Sequence, residues 1–335
     1  MKTKGIFAGA ILLYSGIFLA LHGVRFVDFE VLPQFHLDPF AALPTSSQAL
    51  HGSPLPAIIG NVLGIVSENT IQIFYVLLVL AAFGALMWYV RHIGKEKNSP
   101  LFFLLIALTP LPLVLISWIG KPDPLVVLAY IGFLVSSAPV LIAGSAFLLL
   151  LAHKEVAILL LLIHAILFPS ELRKISIASI GVVMGLIYFA LYTNIVGTVT
   201  DRTAFVAEHL SQLLQTPLIA ALFIFNWFLL VLLLLYKRGI LRSVRILAAI
   251  AVIFVVSVFV VLDHTRIAAL LSLPLYVYVL RKVADAKEGF SLSKKQFLIL
   301  LVVSLLQIEA VTTGLLVNTV VAHYVVLYEW LHLPF

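Results

Sequence analysis

The charged residues of this chain are confined to short breaks between long apolar runs, and that confinement leaves few possible folds. A run of about 20 apolar residues is long enough to cross the hydrocarbon core of a bilayer as a helix. With 63% of its 335 residues hydrophobic and only 11% charged, the chain reads as all-α, a polytopic transmembrane helix bundle. Residues 1–335 form a single transmembrane domain, with no room for a large soluble one. Any activity must then be built from helix ends and loops.

Composition excludes several classes of function. The formal charge of +6 would suggest nucleic acid in a soluble protein, but here Lys and Arg sit in short clusters between apolar runs, as orientation signals do. No nucleic-acid partner is expected. The absence of cysteine removes disulfides, thiolate chemistry, Cys-ligated zinc and iron–sulfur clusters. No Walker motif, glycine-rich dinucleotide turn or nucleophile elbow occurs, so nothing points to ATP, NAD or serine-hydrolase chemistry. The first apolar run, Gly5 to Val24, has signal-peptide flanks but no clear small-residue cleavage site, and reads as a retained first helix.

Topology follows from the basic residues. Lys2 and Lys4 place the N-terminus inside, so the first helix leads out into residues 25–70, the longest external loop, where Pro39–Leu50 and Leu55–Val66 suit helices lying on the interface. Ile71–Val90 returns and Leu101–Trp118 goes out. Residues 125–169 divide into two helices or three. Only three, Leu125–Val135, Pro139–Ala152 and Val156–Phe168, keep every later basic loop inside, at the cost of spans shorter than usual. Ile175–Ile195, Pro217–Tyr236, Ile246–Leu262, Ile267–Leu280 and Phe297–Leu316 complete about eleven spans. Inside loops then hold sixteen Lys and Arg against four acids, and outside loops five against ten.

Four polar clusters fall on the outer side: Asp28-Phe29-Glu30, Lys121-Pro122-Asp123, His153-Lys154-Glu155 and Asp263-His264-Thr265-Arg266. Ionisable groups this close to hydrocarbon are costly and commonly face a cavity. Asp123 is fixed between two prolines, either as a site carboxylate or as the N-cap of the next helix. Arg266 has the fork geometry for a phosphate, or forms a local ion pair with Asp263. Asp28 and Glu30 share one side if extended, where they could hold a divalent cation, or else belong to a solvated loop. His164 and Glu309 fall inside spans and are proton-relay candidates or internal hydrogen-bonding groups. His92, His323 and His332 lack zinc-ligand spacing. Trp88, Trp118, Trp330, Tyr89 and Tyr328 read as interfacial anchors.

The order of an inside N-terminus, one helix, an external loop opening on Asp28-Phe29-Glu30, and short helices after Gly120-Lys121-Pro122-Asp123 resembles integral-membrane glycosyltransferases of the GT-C class. It is also similar to O-antigen-polymerase-type enzymes. The resemblance implies residence in the bacterial inner membrane and activity at its outer, periplasmic face. It further implies a polyprenyl-phosphate sugar as donor partner, a glycan or lipid-linked acceptor, and contact with membrane lipids. In that light Asp28 is the expected proton acceptor, with Asp123 or Glu155 as substitutes. Arg266, Lys121 and Arg202 would meet phosphate, and His153, Asp263 and His264 would line the substrate site. Glu30 with Asp28 would hold any divalent metal, Mg or Mn. A secondary transporter or lipid flippase is the alternative from another class.

Overall fold

The computed structural model describes residues 13–24, 26–43, 45–94, 99–197, 224–239, 241–261, 264–285, 292–307, 309–310 and 316–317. The chain is helical and compatible with a helical membrane protein. After α1 (Leu13–His22) come α2 (Leu32–Leu37), a 3-10 turn over Thr45–Gly52, and α3 (Leu55–Val62), which together form the first loop. The bundle continues with α4 (Glu68–Gly94), α5 (Ser99–Ala107), α6 (Leu111–Ser117), α7 (Asp123–Val135), α8 (Pro139–Ala152), α9 (Lys154–Leu167) and α10 (Leu172–Val196). It ends with α11 (Phe228–Lys237), α12 (Val244–Phe259), α13 (His264–Leu271), α14 (Leu273–Asp285) and α15 (Lys294–Ser304).

Two stretches, Glu68–Ile93 and Pro169–Val196, are long and apolar enough to cross a membrane unaided. Two more stretches reach that length and apolarity only as pairs of helices, and both pairs are bent. The α5–α6 pair turns by 59° and the α13–α14 pair by 49°, so the expected straight spans Leu101–Trp118 and Ile267–Leu280 are each two helices. Proline causes both breaks. Pro110 has no N–H for the Ile106 carbonyl, which instead accepts from the Thr109 side chain at 2.7 Å. Pro274 likewise leaves the carbonyl four residues back without its helical donor, just past Ser272. The freed carbonyls of Ala107 and Thr109 accept from Gln307 Nε2 at 2.6 and 2.8 Å. Buried backbone groups must find partners, and here a distant side chain supplies them.

Residues 125–169 form three helices, as the basic loops require. Lys174 Nζ donates to the Leu134 carbonyl at 2.8 Å, which puts the α7–α8 turn beside the basic start of α10. At the other end Lys154 lies over the Phe189 ring, 5.3 Å from its centre, so residues 153–155 sit with the far end of α10. That end also carries the first loop, because Tyr192 donates to the Pro39 carbonyl at 2.6 Å. The bundle therefore has an acidic end and a basic end. Close helix contact holds α8 to α10: a Cβ on Gly181 would lie 2.0 Å from the Ala143 carbonyl oxygen, so only glycine allows that approach.

Three other expectations change. The last span is helical only over Lys294–Ser304, and Glu309–Ala310 then pairs antiparallel with Leu316–Val317 instead of continuing a helix. For Pro217–Tyr236 the described helix is Phe228–Lys237, and residues 217–223 lie outside the described residues. Lys2 and Lys4 do as well, so the inside N-terminus rests on sequence. A count of eleven crossings requires helices of only 10 to 16 residues to serve as spans.

The first loop folds into a cap. His36 is fully buried, and its Nδ1 donates to the Ile65 carbonyl at 3.0 Å. His51 Nδ1 donates to the Tyr192 hydroxyl at 2.8 Å, since that hydroxyl spends its own proton on Pro39. Burial holds the pKa of both imidazoles below 6.5.

Candidate functional site

Three distant segments meet at the acidic end. After α6, residues 118–123 turn back sharply, and Val27 N–H donates to the Ile119 carbonyl at 2.8 Å, laying the chain after α1 alongside the turn. Gly120 makes this possible. Its φ is +112°, and a Cβ there would stand 2.2 Å from the Val27 carbonyl oxygen. The pairing delivers Asp28 to Lys121, whose ammonium donates to the Asp28 carboxylate. Asp28 itself has φ +60°, a left-handed conformation rare outside glycine and often found at functional positions.

One step along the same turn, Asp123 is fully buried and accepts two bonds from Arg266. Arg266 Nε and Nη2 each lie 2.7 Å from a different carboxylate oxygen. This is the fork-on-fork pairing that only arginine offers, and removing water from both groups raises its dependence on geometry. The guanidinium also lies over the Trp118 ring, 5.4 Å from its centre. Trp118 is 8% exposed, so it is a floor to the site and not the interfacial anchor its position suggested. Arg266 thus pairs with Asp123, 143 residues away, a partner not foreseen from sequence; Asp263, the local partner foreseen there, lies outside the described residues.

Side-chain exposure separates the two pairs. Asp28 and Lys121 are 29% and 20% exposed, while Asp123 and Arg266 are 0% and 8% exposed. The outer pair is part-exposed, and the inner pair is buried and joins α7 to α13. An ammonium carries three donors, of which Asp28 takes one.

The third cluster shares this end of the bundle. His153 Nδ1 lies 3.5 Å from Glu155 Oε2, and Lys154 Nζ lies 3.9 Å from Glu155 Oε1. Glu30 is exposed, and the left-handed turn at Asp28 breaks the two-residue alternation that would align the two acids. Among the described residues no three His, Asp or Glu side chains converge as a metal-ligand set. Arg202 and Asp263 lie outside the described residues, as does the side chain of His264. So do His323, Tyr328, Trp330, His332 and the side chain of Glu309.

A second polar network, at the basic end, includes the internal hydrogen bonding foreseen for His164, but its ion pair escaped the sequence reading. Glu171 accepts from Arg281, while His164 Nε2 lies 3.3 Å from its other oxygen. His164 Nδ1 lies 2.9 Å from the Tyr130 hydroxyl, and Arg281 Nη2 donates to the Tyr89 hydroxyl at 3.2 Å. Tyr89 is thus a buried partner and not an anchor at the interface. The signal available was Glu171, a lone acid among basic residues in the loop Ser170–Lys174. Comparison with protein families, with curated proteins and with solved structures finds no match to this chain.

Proposed function

We propose that the chain is a membrane glycosyltransferase that moves a sugar from a polyprenyl-phosphate donor to a cell-envelope glycan or a lipid-linked acceptor. The observation that carries the reading is the strained, half-open Asp28 paired with Lys121 above a dry Asp123–Arg266 bond. A carboxylate and an ammonium side by side match the two needs of the reaction. Asp28 takes the proton of the acceptor hydroxyl as its oxygen bonds to the anomeric carbon. The bond from that carbon to phosphate breaks, and Lys121 stabilises the charge that collects on the departing polyprenyl phosphate. Acceptor proton, glycosidic bond and leaving group are then all accounted for.

Asp123 and Arg266 act in this scheme as positioning residues, because both carboxylate oxygens are spent on the guanidinium. Glu155, with His153 and Lys154, lies at the same end as a candidate acceptor-binding group. The polymerase reading uses the same chemistry and differs only in a repeating acceptor.

The two bent helix pairs support a second reading, a transporter or flippase, since broken helices commonly border transport sites. At these breaks the buried side chains Thr109, Ser272, Tyr276 and Gln307 are neutral, which gives a substrate phosphate no counter-charge there. To separate the readings, the purified chain in vesicles is given a radiolabelled short-chain polyprenyl-phosphate sugar with lipid-linked glycan. Transfer of label to the glycan supports the enzyme. Movement of intact donor across the bilayer without transfer supports the transporter.

A further inference from the structure

Helices α11 and α15 are joined at one end and part at the other. Trp227 Nε1, at the start of α11, donates to the Leu306 carbonyl just beyond α15 at 2.7 Å. Towards the basic end a groove of about 180 Å³ opens between them, lined by Leu234, Leu292, Ile299 and Leu300, with Arg238 and Gln296 as its polar members. Gln296 belongs to the helix start, where its side-chain oxygen accepts from Ser293 N–H at 3.0 Å. Close packing does not tolerate an empty apolar wedge of this size, and water gains no bonds along such walls.

Charge surrounds the mouth. Lys237 and Arg238 close α11, Arg242 follows in the next connection, Arg245 lies in the first turn of α12, and Lys294 and Lys295 open α15, all exposed. Among the described residues of 237–245 and 281–296, Asp285 is the only acid. We propose that this groove binds an anionic phospholipid of the surrounding bilayer, one acyl chain lying between α11 and α15 and the phosphate meeting the Lys and Arg side chains at the mouth. Clustered Lys and Arg at headgroup level draw anionic lipid in preference to zwitterionic lipid, which carries no net charge. The inference rests on the membrane reading of the chain and not on sugar transfer, since the groove is at the opposite end from Asp28 and Lys121.

The test uses the full chain, stripped of lipid in a neutral detergent, with native mass spectrometry and thermal unfolding as readouts. Phosphatidylglycerol is expected to bind at least about tenfold more tightly than phosphatidylcholine, with one copy retained and the unfolding temperature raised. Glycerol 3-phosphate, a headgroup without a tail, is expected to do neither. Ile299→Trp fills the groove and keeps the charges, while Lys294→Gln with Lys295→Gln keeps the groove and removes charge. All three positions are exposed, so the fold should survive, and each variant should abolish the preference for phosphatidylglycerol. Equal response to phosphatidylcholine, a full response to glycerol 3-phosphate, or an unchanged preference in Ile299→Trp would overturn the proposal.

Discussion

The two ends of the bundle solve the same problem, an ion pair between distant helices, in opposite ways. At the acidic end Asp123 and Arg266 form a closed bidentate pair with both carboxylate oxygens used and almost no exposure. At the basic end Glu171 and Arg281 are 23% and 30% exposed and extend through His164, Tyr130 and Tyr89 into a chain of single bonds. A closed pair fixes one geometry rigidly, which suits the floor of a site. A chain ties several helices with a number of weaker links and ends at the buried Tyr130. It therefore reads as a clamp and not as a proton path across the bundle.

The largest expected effect lies at the closed pair. Asp123→Ala strands a buried guanidinium and should cost about 3–5 kcal/mol in stability, measured by thermal unfolding in detergent. Asp123→Leu with Arg266→Met should recover much of that loss, since the stranded charge is gone, yet sugar transfer should stay low because the turn is no longer held. Full transfer in the double variant would show that the floor is dispensable.

Next in size, Glu171→Gln should cost about 1–3 kcal/mol, the range for leaving charged partners poorly matched in a part-buried site. Transfer at the other end should remain within about twofold, as expected for well-separated sites. A large loss of transfer with little loss of stability would instead join the two ends functionally.

A smaller effect concerns the cap, and it depends on pH. In the unfolded chain His36 and His51 titrate near 6.5, and in the folded cap both titrate lower. Between those values only the opened cap takes up protons, so its stability is complete above about pH 6.5 and declines as the pH falls below it. Proteolysis or amide exchange within residues 25–70 should therefore rise between pH 7 and 5. Replacing His51 with Asn should flatten the dependence in part.

How much of this was legible in the sequence depends on the range of each interaction. The three helices of residues 125–169 were readable because the positive-inside rule constrains every later loop at once. The bends at Pro110 and Pro274 were marked by proline but hidden by unbroken hydropathy. Meeting of Asp28 with Lys121 and of Asp123 with Arg266 could be anticipated only as a shared end of the bundle. The partners themselves depend on the Gly120 turn and on how α13 leans against α6. Arg266 illustrates the limit, since its bond to Asp123 spans 143 residues and no local pattern announces it. The basic-end clamp was obscured because Glu171 and Arg281 served the topology as mere counts of charge.

The most direct measurement compares the wild-type chain with Asp28→Asn in transfer from a polyprenyl-phosphate sugar, alongside thermal unfolding of both. Asn keeps the shape and tolerates the left-handed backbone but cannot take a proton. Loss of about 100-fold or more in transfer is expected, with stability changed by no more than about 1 kcal/mol because the pair with Lys121 is part exposed. Undiminished transfer by Asp28→Asn would contradict the account.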